Sequence, residues 1–296
     1  MITVPAHPKL YDRFQAFYHQ NQGGWPLLWR RRKVWHAQAM GRLGLIMPVR
    51  VPLFTGQSME VRTNECVSRA LIAFGYAEPT ITALMLHVLT AGQCFVDVGT
   101  HFGYEALLAS KLVGSTGKVL AFEPHPKTAQ VAKRNLTPYP QAELHQMALS
   151  SSSGSSYLQE LGDAQSAFAS LVKTPKNEQS IEIKTMTLDE ALKSTSLSIH
   201  LLKIDVEGHE RCVLEGAKET ISKDLPIIVL ESDMPKDGKS SKRTFELADC
   251  LNKYGYAPYS FNFDGDFRIG ELDSFPIEHP NVLFLCGHHH DIIIKK

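Results

Sequence analysis

The chain has 296 residues, 43% hydrophobic and 21% charged, with 31 lysines and arginines against 31 aspartates and glutamates. This composition excludes a disordered, collagenous or membrane-embedded chain. The equal charges argue against a protein that grips nucleic acid through its phosphates, which needs a basic excess on some face.

Five scattered cysteines, none spaced as CxxC, suggest reduced thiols rather than a disulfide framework or zinc knuckle. No basic segment with an apolar run behind it opens the chain, and no stretch is apolar for long enough to span a bilayer, so the expected location is cytoplasmic. Residues 1–75 read as a helical N-terminal extension or cap, with helices at Tyr11 to Tyr18 and Trp25 to Met40, broken by Gly23-Gly24 and by Pro48 and Pro52. Arg30, Arg31, Arg32 and Lys33 in the second helix are a candidate for docking on a membrane or a carrier protein. The favoured reading is a capping helix with its basic side in solvent.

From residue 76 to 296, strand-like and helix-like segments alternate in the βαβ manner of an α/β fold with a mostly parallel sheet covered on both faces. The expected strands are Cys94 to Val98, Lys118 to Glu123, Glu143 to Leu149, Leu201 to Asp205, Pro226 to Glu231, Tyr256 to Phe261 and Val282 to Cys286. Helices are expected at Tyr104 to Val113, stopped by Gly114, and from Pro126 to about Leu136. Ser150 to Ser156 reads as a turn, Ile181 to Lys184 as a surface strand, and Thr187-Leu188-Asp189-Glu190 has capping-box spacing.

The first two strands carry the chemistry. A buried strand ends at Asp97 and a turn, Gly99, Thr100, His101 and Gly103, opens a helix at Tyr104; the next strand ends in Glu123, an acid able to accept both hydroxyls of a ribose. A dinucleotide fingerprint would place glycine where Asp97 stands, because backbone amides must reach a pyrophosphate. A carboxylate there repels pyrophosphate and favours a ligand with an ammonium and a sulfonium, namely S-adenosylmethionine.

A third block, Lys203-Ile204-Asp205-Val206-Glu207-Gly208-His209-Glu210, joins these. Together with Ala121 to Pro126, Met147 to Ser150, Thr187 to Glu190 and Asn281 to Leu285, it resembles the FkbM family of S-adenosylmethionine-dependent methyltransferases, over about Glu78 to Leu285. The resemblance implies a class I methyltransferase, Rossmann-like, with seven strands in the order 3-2-1-4-5-7-6, the last antiparallel. It also implies that Asp97 and the turn through Tyr104 hold the methionine end, Glu123 the ribose, Met147 and Ala148 the adenine edge, Glu78 the amino group, and that Asp205 lies beneath the sulfonium.

The acceptor it implies is a hydroxyl of a small natural product or a glycan, with nitrogen or carboxyl methylation as the alternative. A nicotinamide oxidoreductase and a silent nucleoside-binding domain remain the readings from other classes. A base would assist an alcohol acceptor, and the candidates are Asp205, His209, Lys203, Glu231 and His101, with Asp205 and His209 foremost. For Lys203 an ion pair with Asp205 is at least as good a reading. Asp205 and Glu231 end neighbouring strands as a divalent-ion pair would, but the asparagine-like third ligand is missing, so no metal is expected. His288-His289-His290 reads as a solvated tail. Neither the acceptor's identity nor the oligomeric state is encoded in any of these motifs.

Overall fold

The computed structural model describes residues 4–21, 32, 35–36, 39, 46–63, 65–159, 170–172, 180–193, 198–234, 238–276 and 278–289. In chain order the elements are α1 (Pro8–Gln20), β1 (Pro48–Pro52), β2 (Ser58–Arg62), α2 (Cys66–Phe74), α3 (Pro79–Val88), β3 (Cys94–Val98), α4 (Tyr104–Val113), β4 (Lys118–Phe122), α5 (Pro126–Leu136), β5 (Ala142–His145) and β6 (Ala148–Leu149). There follow β7 (Gly154–Gln159), β8 (Ser170–Val172), β9 (Ser180–Met186), α6 (Leu188–Ala191), β10 (Ile199–Ile204), α7 (Glu210–Glu215), α8 (Lys218–Asp224), β11 (Ile227–Glu231), α9 (Lys242–Asn252), β12 (Ala257–Phe263), β13 (Phe267–Glu271) and β14 (Asn281–Leu285).

The large sheet runs β13-β12-β14-β11-β10-β3-β4-β5. Strands β11, β10, β3, β4 and β5 are parallel, and β14 inserts antiparallel between β11 and β12. The seven expected strands therefore stand in the order 3-2-1-4-5-7-6 with the last antiparallel. The eighth, β13, is a hairpin partner of β12 that the sequence reading lacked.

Side chains alternate across this sheet as its period of two requires. Phe95, Leu201, Val229 and Leu283 enter one core, while Val96, Leu202, Ile228 and Val282 enter the other with α7, α8 and α9. The first core is shared with the N-terminal elements. Phe14 stacks on Phe263 with ring centres 4.8 Å apart and lies 5.0 Å from Phe54, and the Tyr11 hydroxyl accepts the Phe267 N–H at 3.0 Å.

Several expectations need correction. Beyond α1 the extension is not wholly helical: Pro48 and Pro52 bound a strand, in an isolated two-stranded ladder that tolerates residues without an N–H. The expected strand Glu143 to Leu149 divides, because β5 ends at His145 and β6 pairs with β9 in a separate four-stranded sheet. The serine-rich turn becomes β7 from Gly154 onward, paired antiparallel to β9. His289 is buried, its Nδ1 accepting the Cys286 N–H at 3.0 Å, so this part of the tail is not solvated.

The expected helix Trp25 to Met40 lies outside the described residues apart from 32, 35, 36 and 39, and Arg30, Arg31 and Lys33 lie outside them. Among the described residues no single helix is long and apolar enough to cross a membrane; α2 and α3 together pass by length and composition as a pair bent by 71°.

Candidate functional site

At the carboxyl ends of β3, β4, β10 and β11 a cavity of about 270 Å³ opens. This is where open α/β sheets hold ligands. Its walls include Thr100, His101, Tyr104, Glu123, Met147, Ala148 and Asp205 from the expected set, with Glu78. Met59, Val67 and Leu71 from the N-terminal elements complete it.

Backbone packing builds the turn. The N–H groups of Gly99 and Thr100 both donate to the Phe122 carbonyl at 3.0 Å. Gly99 has φ +85° and passes so close to the exit of β10 that a Cβ would lie 1.8 Å from the Asp205 carbonyl oxygen, so only glycine fits. Asp97 is fully buried beneath the turn rather than on the cavity wall. Its Oδ2 accepts the Thr100 hydroxyl at 2.6 Å, while its Oδ1 is buried and lacks a hydrogen-bond partner among the described residues.

Glu123 Oε2 accepts the His101 N–H at 3.0 Å and Oε1 the His125 N–H at 2.9 Å. Each oxygen keeps a lone pair for a ligand hydroxyl. Burial pushes this carboxyl up to about 7, against His101 and the two N–H groups, which favour its charge. The His101 ring lies 3.7 Å from Glu65, a fully buried acid of the N-terminal elements whose Oε2 caps α2 at Val67 N–H.

Lys203 centres the acidic part of the cavity. Its Nζ donates to Asp205 Oδ2 at 3.0 Å and lies 4.0 Å from Glu78 Oε2. Burial opposes the ammonium, but Asp205, Glu78, Glu105 and Asp97 together outweigh it and hold Lys203 well above its ordinary range. Burial also opposes the Asp205 carboxylate; Lys203 and a hydrogen bond with Glu231 prevail and keep it low. Glu231 is pushed up to about 10 by burial and then by the Asp205 charge, so it carries the proton of that bond.

The end of the Lys203–Glu210 block explains its own spacing. Glu210 is fully buried and folds back so that Oε1 accepts the N–H groups of Val206 and Gly208, each at 3.2 Å, while Oε2 meets Arg243. The turn so held puts Glu207 in the left-handed region at φ +50°, on the cavity wall. Burial pushes Glu207 up to about 7, with Asp205 and Glu210 adding to it. Ligand atoms of Asp205, Glu207 and Glu231 lie within 4.8 Å of one another.

His209 goes elsewhere. Its Nε2 faces the Ser150 hydroxyl at 2.9 Å, and neither residue lines the cavity. His209, expected as a catalytic candidate, does not face the cavity, because the turn held by Glu210 presents Glu207 to the cavity and directs the imidazole to Ser150. Sequence reading missed Glu65, Glu105 and Glu210. It gave Glu207 no role of its own, and the signal available was the E-G-x-E spacing.

The donor set suits a ligand with a positive end and a ribose. The carboxylates outnumber the cations around Lys203, and among the described residues Glu78 Oε2 on the wall has no hydrogen-bond partner. Comparison with known proteins agrees in kind. AglP of Haloferax volcanii, a hexuronic acid methyltransferase, is 29% identical over 197 residues, 65% of this chain and 76% of AglP. NoeI of Sinorhizobium fredii, a 2-O-methyltransferase, is 28% identical over 153 residues, 47% of this chain; the chain spans 63% of NoeI. The crystal structure of methyltransferase FkbM from Methylobacillus flagellatus matches 74% of this chain and 52% of its own at 16% identity and a TM-score of 0.41. The sequence model of the methyltransferase FkbM domain matches residues 97–258, more than half of the chain and the whole run from Asp97 to the far side of the acidic turn, so the chain belongs to the FkbM methyltransferase family.

Proposed function

We propose that the chain transfers a methyl group from S-adenosylmethionine to a hydroxyl oxygen of a small molecule or glycan. The observation that carries this reading is the excess of carboxyls over cations around Lys203 at the cavity, where Glu78 Oε2 on the wall has no hydrogen-bond partner among the described residues. A ligand with an ammonium and a sulfonium satisfies them, whereas a pyrophosphate is repelled. Glu78 receives the ammonium, Glu123 the ribose hydroxyls, and Met147 and Ala148 border the base. Bound there, the donor supplies an electrophilic methyl carbon.

The acceptor reaches the rim of Asp205, Glu207 and Glu231. A carboxylate acceptor meets like charge at that rim, while a hydroxyl meets acceptors for its proton, which favours oxygen of an alcohol over oxygen of an acid. Glu207 is the general base of this reading. Its carboxyl lines the cavity on a left-handed backbone, and a base poised near the working pH transfers protons best. The similarity to a 2-O-methyltransferase supports oxygen as the acceptor atom, and that to a hexuronic acid methyltransferase supports a sugar-like acceptor.

Calorimetry with S-adenosylhomocysteine and with NAD tests the donor. The first is expected to bind and the second not; the reverse overturns the reading. Labelled-methyl transfer to a panel of sugars, polyols, amines and uronates, with and without chelator, is expected to favour hydroxyls.

A further inference from the structure

The other edge of the large sheet carries a second cluster of ligating side chains. Strand β14 runs antiparallel to β11, pairing Glu231 with Asn281 and Ile228 with Phe284, so its end at Leu285 lies by the start of β11, away from the cavity. There Cys286 leads into a 3₁₀ turn, Gly287–His289. Three residues per turn bring positions 286 and 289 to one side of it. Cys286 Sγ lies 3.2 Å from Nδ1 of His288 and 3.5 Å from Nδ1 of His289, and the three atoms are all within 4.8 Å of one another.

The His289 ring is fixed in tautomer and direction. Its Nε2 faces the Leu225 carbonyl at 2.9 Å, and a carbonyl only accepts, so Nε2 carries the ring proton and Nδ1 the lone pair. Metal-ligating histidines are held in this way, with the other ring N–H donated to a carbonyl or carboxylate. Cys286 and His289 are buried, at 4% and 2% exposed, while His288 is exposed and gives solvent a way in.

We propose that Cys286, His288 and His289 bind a divalent cation of the zinc class through Sγ and the two Nδ1 atoms, fixing the chain beyond β14 against Leu225 at the end of α8. A tetrahedral zinc, with bonds of about 2.3 Å to sulfur and about 2.0–2.1 Å to nitrogen, spans about 3.5 Å from sulfur to nitrogen. The two Sγ to Nδ1 distances already stand close to that edge length. A thiolate with two imidazoles selects this class of metal over magnesium or calcium, which take oxygen. Three protein ligands leave the fourth position to water.

The exchange balances. The S–H bond of Cys286 breaks, its proton goes to buffer, and the sulfur electron pair goes to the cation; both imidazoles bind as neutral rings. On His289 the cation displaces the Cys286 N–H, which lies 3.0 Å from Nδ1, a neutral hydrogen bond that coordination outweighs. The rim formed by Asp205, Glu207 and Glu231 offers oxygen alone, so the two places differ in the chemistry of any metal they take.

Cobalt(II) titrated into the full chain, first stripped of metal, tests this. A thiolate on cobalt gives a charge-transfer band in the near ultraviolet that oxygen and nitrogen ligands do not give. About one equivalent of cobalt is expected to bring the band to its plateau, and zinc to abolish it by competition. Cys286→Ser is expected to lose the band. His288→Ala, altered at an exposed side chain, is expected to keep the fold and bind zinc at least about tenfold more weakly against a chromophoric chelator, since a lost ligand costs no less than a lost outer-shell partner.

Uptake without a sulfur band, which puts the metal on the acidic rim or on surface histidines, overturns the proposal. A band that survives in Cys286→Ser does so as well, because the cobalt then sits on another thiol. Unchanged zinc affinity in His288→Ala is equally fatal, and that comparison decides even where Cys286→Ser does not fold.

Discussion

Two pairs of carboxyls flank Lys203, and they differ in how close they come to its ammonium. At the rim, Asp205 takes a 3.0 Å hydrogen bond from the ammonium, stays ionised, and leaves the proton on Glu231, which is pushed up to about 10. On the donor side, Glu78 stands 4.0 Å from the same ammonium with one oxygen unpartnered, and Glu105 is buried behind it. Distance to one buried cation thus separates Asp205 from Glu78. The carboxyl in contact becomes a fixed anion. The more remote Glu78 keeps an oxygen without a hydrogen-bond partner among the described residues.

The largest effect should come from removing what the pairs share. Lys203→Met strips the ammonium that lies 3.0 Å from Asp205, and breaking a buried pair from one side costs about 3–5 kcal/mol, measurable by urea unfolding at neutral pH. The loss should shrink in acid. Asp205 is held low in the folded chain, so its contribution is present above its unfolded value near about 3.9 and disappears as pH falls through the folded value. The variant should therefore lack that acid limb. A variant as stable as wild type at neutral pH would mean that the two pairs do not depend on a common ammonium.

A change at the rim alone separates the pairs. Glu207→Gln should lower kcat by about 10²–10⁴-fold with the best acceptor while S-adenosylhomocysteine affinity stays within about twofold. A base acts in its ionised form, so the wild-type rate should rise with pH up to about 7, where burial has pushed Glu207, and level off above it. The variant should lose that rise. If its pH profile keeps the wild-type shape, the proton is removed by another group.

These distinctions mark the limit of what the sequence says. Gly99 is legible because a strand followed by glycine signals a close backbone approach, and the 1.8 Å that a Cβ would leave to Asp205 is the physical reason. Apolar runs such as Cys94–Val98 are legible as buried strands by their lack of alternation. Their spatial order was available only through resemblance, because each βα unit looks alike in one dimension. Glu105 was illegible because an acid in the first turn of a helix is ordinarily a surface residue answering the dipole; its burial is decided by α3 and β10, which come from far away in the chain. Pro48 and Pro52 misled for a related reason. They break a helix or a central strand, and nothing local tells that the ladder they join has only two strands.

The smallest effect is expected at His209, which by sequence stood beside Asp205 as a catalytic candidate. Its Nε2 is engaged with the Ser150 hydroxyl at 2.9 Å, outside the cavity wall, and burial lowers its affinity for a proton, so near neutrality the ring is uncharged and partnered. Its job is to fasten the segment after β6 to the start of α7. Glutamine can hold the same hydroxyl, and losing such a hydrogen bond altogether costs about 1 kcal/mol. His209→Gln should therefore change unfolding free energy by no more than about 1 kcal/mol and kcat by less than about threefold, far from the 10²–10⁴-fold that a lost acid–base group brings. A loss of that larger size, with S-adenosylhomocysteine binding intact, would return the proton transfer to His209 and require the turn held by Glu210 to open, since only then could the imidazole replace Glu207 at the rim.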